Sequence, residues 1–106
     1  MPKYLVQANY VGEGIKGLLK EGGSSRRAAV EKLAKSLGGT IESFYYAFGE
    51  TDVCGIGDFP DNATAAAFAL AITSTGTVTC KTTVLMTPEE LDQVSKKTPT
   101  YRPPGQ

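Results

Sequence analysis

The sequence predicts one α+β domain with elements in the order β-α-β-β-α-β and one further helix at the C-terminus. The length of 106 residues, 41% of them apolar, is enough for one compact core but not for two. Four segments of strand length are rich in aromatic and β-branched residues. An amphipathic segment separates the first two of these strands, and an alanine-rich segment separates the last two.

The first half of the chain predicts a strand, a broken helix and a second strand. The first strand covers residues 3–10. A helical region follows from about Gly14, and the Gly-Gly-Ser-Ser run at residues 22–25 interrupts it. One of these two serines is expected to cap the second helical piece. Two glycines end that piece before the second strand, residues 40–48.

The second half predicts two further strands around an alanine-rich helix. A tight turn at residues 49–52 leads into the third strand, residues 53–59. Residues 60–62 open the helix, which ends near Ser74, and the fourth strand covers residues 77–86. This order is that of the ferredoxin-like fold, an antiparallel sheet with helices on one face.

The C-terminal segment predicts a short capped helix and an extended tail. Residues 87–90, Thr-Pro-Glu-Glu, combine an N-cap threonine, a proline at the first helical position and a capping-box glutamate. Leu91 and Val94 are the residues that this helix is able to bury. Three prolines in residues 98–106 oppose a further helix, so we expect a domain over residues 1–97 and an extended tail after it.

Composition excludes several classes of function. The 11 basic residues balance 11 acidic ones without a basic block, which argues against nucleic acid or a membrane as a partner. The absence of histidine removes Ser-His and Cys-His nucleophiles and histidine metal sites. Cys54 and Cys80 are too few for a zinc site or a disulfide scaffold, so neither a metal nor a cofactor is expected. Free core thiols, without a signal peptide or a membrane span, are typical of a cytoplasmic protein.

Alternation along the strands predicts two different sheet faces. One face is mostly apolar and is expected to meet the helices: Tyr4, Val6, Ala8, Ile41, Tyr45, Ala47, Cys54, Ile56, Val78, Cys80 and Val84. The other face mixes polar residues with large apolar side chains, among them Leu5, Phe44 and Phe48. Solvent alone does not normally cover such a face, so we expect a second copy of the chain there, which gives a two-fold dimer.

Several short motifs occur in a fixed order along residues 3–97. They are Tyr-Leu-Val-x-Ala-Asn-Tyr at residues 4–10, Leu-Gly-Gly at 37–39, the aromatic strand at 43–49, Pro-Asp at 60–61 and Gly-x-Val-x-Cys-Lys-Thr-Thr at 76–83. Together they resemble the GYD domain family. That family has a tyrosine before the aspartate of its eponymous motif, whereas Thr51 precedes Asp52 here, which weakens any role for an aromatic ring at this turn. The resemblance implies a dimeric α+β barrel and no established activity.

Residues 12–17 spell Gly-x-Gly-x-x-Gly between a strand and a helix, the pattern that binds dinucleotide phosphates. The rest of that fingerprint is missing. The end of the next strand offers no acid for a ribose, and glycines break the intervening helix. The motif is therefore interpreted as a flexible turn.

Asp52 is the best single candidate for a functional carboxylate. It would lie where the second and third strands meet, beside aromatic residues that would desolvate it and raise its pKa. Aspartate is also a common turn residue because its side chain hydrogen-bonds nearby backbone groups. The turn role is favoured over the catalytic one.

Polar residues of the mixed sheet face form a candidate ligand pocket inside the expected barrel. They are Gln7, Asn9, Tyr46 and Lys81, and Gly57 leaves room for a ligand or for a neighbouring aromatic ring. The alternative is that these groups link the two sheets of a dimer through hydrogen bonds.

Three functions follow as hypotheses. The first is a dimeric barrel that binds a small ligand as a sensor, carrier or accessory protein. The second is a cofactor-independent enzyme, monooxygenase-like or isomerase-like, for an apolar or aromatic substrate, with Asp52 as acid or base and Asn9 and Tyr46 orienting the substrate. The third is a structural assembly module. The absence of histidine favours the first, because proton transfer near neutral pH usually employs one.

Overall fold

The computed structural model describes residues 1–106 and contains one four-stranded antiparallel sheet. The strands are β1 (Lys3–Tyr10), β2 (Thr40–Tyr46), β3 (Val53–Asp58) and β4 (Val78–Val84). The helices are α1 (Glu13–Glu21), α2 (Gly23–Ser36), α3 (Asn62–Thr73) and α4 (Pro88–Ser95). The strand order β2-β3-β1-β4, together with the order of elements along the chain, confirms the ferredoxin-like α+β fold predicted from the sequence.

The main hydrophobic core lies where α2 and α3 pack on one face of the sheet. Its largest fully buried side chains are Tyr4, Phe59 and Phe68. The rings of Tyr4 and Phe59 meet edge to face with centroids 5.9 Å apart, and those of Phe59 and Phe68 are 4.9 Å apart. The buried Tyr4 hydroxyl donates a hydrogen bond of 2.6 Å to Oδ1 of Asn62, so its polar end does not oppose burial of the ring.

Glycine separates the two helices between β1 and β2, as the sequence predicts. Gly22 has a φ of 90°, which side chains disfavour, and it ends α1 and begins α2. Ser24 and Ser25, expected at the cap of the second helix, lie inside its first turn instead, because Gly22 already provides the break. The other two caps are polar: the Asp61 side chain accepts the Thr64 N–H in α3, and α4 begins with a complete capping box.

Strand β2 does not alternate as predicted. Its pairing with β3 shifts between Ile41 and Ser43, and such an irregularity interrupts the alternation of side chains. Phe44 therefore packs on the helix side of the sheet, whereas Tyr45 lies on the other side and is exposed. Phe48 follows the end of the strand and is fully exposed. The sheet positions predicted for Phe44 and Phe48 are wrong.

The side chains of β3 also face the opposite sides of the sheet from those predicted. Val53 and the glycines of β3 are buried on the helix side, while Cys54 and Ile56 lie on the other side. A Cβ atom on Gly57 would lie only 2.7 Å from the ring of Phe59. The large ring thus occupies the space that the glycine leaves, which is why residues without side chains face the core here.

The face of the sheet opposite the helices, called the open face, is not covered by any other element. Six of its residues are Leu5, Gln7, Tyr45, Cys54, Ile56 and Lys81. The radius of gyration is 17.0 Å, against about 13 Å for a compact domain of this size, and the longest dimension is 56 Å. The excess arises because α4 and the tail extend away from the sheet. No helix has the length and apolar character needed to cross a membrane.

Candidate functional site

A small apolar cavity lies between the sheet and the two helices that cover it. Helix α2 packs over β2 and α3 packs over β4, so the central strands are covered by side chains that meet between the helices. The cavity measures about 50 Å³. Residues at its walls include Val6, Ala8, Val30, Phe44, Val53 and Ile72. Small side chains on the central strands leave this space, which is too small for a whole ligand.

A larger and more polar space beneath α1, called the vestibule, adjoins the cavity. The vestibule measures about 250 Å³, and Tyr10, Arg26 and Ile72 line both spaces. Arg26 is half-buried, and its Nη1 lies 3.7 Å from Oε2 of Glu21. Thr77 adds a hydroxyl to the wall. The cavity and the vestibule together, called the cleft, therefore offer an apolar inner end and a polar outer end.

Helix α1 crosses the mouth of the cleft. None of its residues is buried, and glycines with positive φ, Gly12 at 52° and Gly22 at 90°, bracket it. On its other side lies an open groove of about 370 Å³. Tyr10 and Leu18 line both the groove and the vestibule. Helix α1 thus contributes no side chain to the buried core of the domain.

Tyr46 links the β2 end of the sheet to the start of α2. Its hydroxyl donates a hydrogen bond of 2.9 Å to the carbonyl oxygen of Gly23, and its ring meets that of Phe44 edge to face at 5.3 Å. Burial, followed by the nearby Tyr10, raises the pKa of Tyr46 to about 12. The phenol is therefore protonated at neutral pH and serves as a donor to the backbone.

Asp52 and Asn9 join the β2–β3 turn to β1. Oδ2 of Asp52 accepts the Tyr10 backbone N–H at 2.9 Å, and Oδ1 of Asn9 accepts the Asp52 backbone N–H at 3.0 Å. The last residue pair of β1 and β3 is Ala8 with Val53. The carboxylate thus satisfies a β1 donor that lies beyond the paired part of β3.

The five residues predicted to bind a ligand do not share one site. Gln7 and Lys81 are paired neighbours on the open face. Asn9 belongs to the same face and is bonded to the turn. Tyr46 and Gly57 lie on the helix side, because of the β2 irregularity and the orientation of β3. Their common placement on the mixed face is therefore wrong.

Sequence reasoning missed the residues that join the cavity to the vestibule. Arg26 lies half-buried where the two spaces meet, although it follows the glycine and serine run that breaks the helical region. Its position depends on the break at Gly22, which sets where α2 starts over the sheet. The apolar spacing from Val30 onward indicated the inner face of α2, but Arg26 lies one turn before this stripe begins.

The two cysteines lie on opposite faces of the sheet. Cys80 lines the cavity, and burial raises the pKa of its thiol. Cys54 lies on the open face, opposite Gln7. No group of three or more Cys, Asp or Glu side chains is placed to hold a metal ion.

The element order, the antiparallel sheet and the cleft on its helix side define a small ferredoxin-like α+β domain with a partly enclosed apolar site. The chain belongs to the GYD domain family, because the model of that family matches residues 4–94. The match covers the chain from the second residue of β1 to the residue before the end of α4. Comparisons with curated proteins and with solved structures gave no significant match.

Proposed function

We propose that the protein forms a homodimer through its open faces and that each protomer binds a small, largely apolar molecule in its cleft, as a carrier, sensor or accessory protein. The observation that carries the proposal is that the apolar cavity and the polar vestibule are neighbours that share Tyr10, Arg26 and Ile72 as wall residues. The cleft lies on the helix side, so a dimer through the other face leaves it accessible.

The dimensions of the cleft indicate a ligand with two different ends. The cavity of about 50 Å³ accepts a small apolar group, and the vestibule of about 250 Å³ accepts a ring. Together they approach the lower limit of small-molecule sites, roughly 300 Å³. Arg26, where the two spaces meet, and Glu21 in the vestibule supply both signs of charge for a polar substituent. A compact aromatic molecule with one polar group fits this description.

Homodimerisation is supported by the composition of the open face. Leu5, Cys54 and Ile56 lie next to each other across β1 and β3 and are only half-buried. Apolar side chains in adjacent positions on an uncovered sheet favour association. A second copy provides the same surface by two-fold symmetry, so the patch is matched without any other partner.

Catalysis is the weaker alternative because the residues assigned to it are bonded to the backbone. Asp52 accepts the Tyr10 N–H, Asn9 accepts the Asp52 N–H, and Tyr46 donates to the Gly23 carbonyl. A general acid or base needs a proton position within reach of the substrate. None of these three groups lines the cavity, whereas the residues that do line it are mostly apolar.

A fluorescent aromatic probe, anilinonaphthalene sulfonate, tests the cleft. Ile72→Trp places a larger side chain where the cavity meets the vestibule. Leu70→Trp makes the matched change on the exposed face of the same helix. We expect the wild type and Leu70→Trp to bind one probe per chain. We expect Ile72→Trp to raise the Kd at least about tenfold, which corresponds to about 1.4 kcal/mol.

Thermal melting and circular dichroism provide the control for folding, since overpacking a core costs about 1–3 kcal/mol. If folded Ile72→Trp binds the probe as tightly as Leu70→Trp does, the probe binds elsewhere and the cleft is not the ligand site. Absence of binding to the wild type would equally oppose an aromatic ligand.

A further inference from the structure

The segment after β4 is an arm without a partner in its own chain. This C-terminal arm, residues 87–106, consists of α4 and the proline-containing tail. Every residue in it is exposed, including Leu91 at 58%, Val94 at 46% and Tyr101 at 74%. Leu91 and Val94, expected from their spacing to be buried by α4, thus make no core of their own within one chain.

The sequence nevertheless specifies α4 strongly. The Thr87 side chain accepts the Glu90 N–H at 3.1 Å, and the Glu90 side chain accepts the Thr87 N–H at 3.1 Å. Pro88 occupies the first turn. A helix of eight residues is marginal in water without packing, however well it is capped. The capped helix and its exposed apolar residues therefore indicate a surface that it packs against.

The point at which the arm leaves the sheet indicates that α4 packs against a second copy of the chain. The arm follows β4, an edge strand, and the Leu85 N–H still bonds the Lys3 carbonyl oxygen at 3.0 Å. The following inference rests on the dimer proposed above. When two open faces stack about a two-fold axis parallel to the strands, β4 of one copy comes to lie beside β2 of the other. The arm then leaves its own sheet directly next to the partner.

The edge at β2 offers a matching groove. An open groove of about 280 Å³ lies between α2 and β2, and Ile41, Phe44 and Tyr45 contribute apolar surface to it. Tyr45 is 70% exposed. Arg27, Glu31 and Glu42 also line the groove, and Nε of Arg27 lies 3.7 Å from Oε1 of Glu31.

We propose that α4 of each protomer docks in the groove between α2 and β2 of the other protomer, so that the dimer exchanges its C-terminal arms. Leu91 and Val94 pack on the apolar side chains of the groove. The arrangement covers the β2 edge of each sheet, which would otherwise invite pairing with further chains. It accounts for the elongated shape of the single chain.

Sedimentation equilibrium on matched variants of the full chain tests the arm. Leu91→Asp places a charge on the docking side of α4, and Gln93→Asp adds the same charge on the opposite side of the same helix. We expect Leu91→Asp to raise the dimer Kd at least about tenfold. We expect Gln93→Asp to remain within about twofold of the wild type. Leu5→Asp on the open face dissociates the dimer independently of the arm.

The outcomes separate the two proposals. A dimeric wild type with the same Kd for Leu91→Asp and Gln93→Asp overturns arm exchange and leaves the open-face dimer intact. A monomeric wild type overturns the dimer and the arm exchange together. A photo-crosslinking residue at position 94, in a mixture of unlabelled and nitrogen-15-labelled chains, supplies the direct readout. Mixed-label crosslinks to residues 27–45 support exchange, and crosslinks within one label only contradict it.

Discussion

Replacing Asp52 separates a structural role from a catalytic one. The carboxylate accepts the Tyr10 backbone N–H at 2.9 Å, at a position where β3 no longer pairs with β1. Asp52→Ala leaves that N–H without its partner, whereas the backbone N–H of residue 52 keeps its bonds to Oδ1 of Asn9 and to the Ala8 carbonyl oxygen. Asp52→Asn keeps an acceptor oxygen of the same size but removes its charge. Comparing the two variants therefore separates the contribution of the acceptor oxygen from that of its charge.

The expected loss of stability follows from the type of hydrogen bond. A bond to a charged group contributes about 1.5–3 kcal/mol, and charge roughly doubles the strength of a comparable neutral bond. The site is partly buried, so water replaces the carboxylate incompletely. We expect Asp52→Ala to lose about 2 kcal/mol and Asp52→Asn to lose about half as much. For a domain of this size, 2 kcal/mol lowers the Tm by roughly 10 °C.

Urea unfolding at pH 7, monitored by circular dichroism, measures these differences at a fixed protein concentration. Glu50→Ala is the matched control, because Glu50 is an exposed acid of the same turn. Wild type and Glu50→Ala should be equally stable, Asp52→Asn should be less stable, and Asp52→Ala should be the least stable. If Asp52→Ala unfolds within 0.5 kcal/mol of the Glu50→Ala control, where surface changes normally fall, the assignment of Asp52 to this junction is wrong.

Three further predictions concern other parts of the fold. Tyr46→Phe should lower the free energy of unfolding by about 1 kcal/mol at pH 7. The wild type should lose stability between pH 10 and about 12, because the folded state holds the Tyr46 proton to a higher pH than the unfolded state. Urea unfolding at a series of pH values should show that Tyr46→Phe removes part of this loss. Gly57→Ala should lower the free energy of unfolding by about 1–3 kcal/mol, because the added methyl group crowds Phe59. Gly17→Ala should stabilise α1 by up to about 1 kcal/mol, because the space around Gly17 is open. Melting curves compare the two variants. Thr87→Ala removes the α4 cap, and we expect it to weaken the dimer in sedimentation equilibrium without lowering the helix content of the core.

The fold was predictable because its signals are local. Glycine at residue 22 marks the helix break, and the Thr-Pro-Glu-Glu sequence marks the start of α4. Each of these acts through neighbouring backbone groups that the sequence lists in order. The order of strands and helices then restricts the topology to very few arrangements, of which the ferredoxin-like one is found.

The faces of the sheet were less predictable because they depend on contacts between distant residues. The irregularity near Ile41 reverses the rest of β2, and no residue in that stretch identifies it in the sequence. In β3 the apolar side chains of Cys54 and Ile56 suggested the core side. The ring of Phe59 instead requires glycine on that side. Alternation defines two sets of residues, but only tertiary packing decides which set is inside.

The candidate cleft depends on the same long-range packing. Tyr10, Arg26 and Ile72 come from β1, α2 and α3, and they meet only because both helices lie on one face of the sheet. Tyr10 ends the motif at residues 4–10, but Arg26 and Ile72 belong to no motif. By contrast, Asp52 and Asn9 were recognised from their residue types and from the turn, and their hydrogen bonds involve the adjoining backbone.

The reactivity of the two cysteines tests the central claim, a ligand cleft on one face of the sheet and a dimer contact on the other. Single-cysteine variants, Cys54→Ser and Cys80→Ser, are titrated with dithionitrobenzoate. We expect anilinonaphthalene sulfonate to slow labelling of Cys80 several-fold and to leave Cys54 unchanged. We expect rising protein concentration to slow labelling of Cys54 only. Protection of Cys54 by the probe, or of Cys80 by protein concentration, would reverse the two faces and contradict the account.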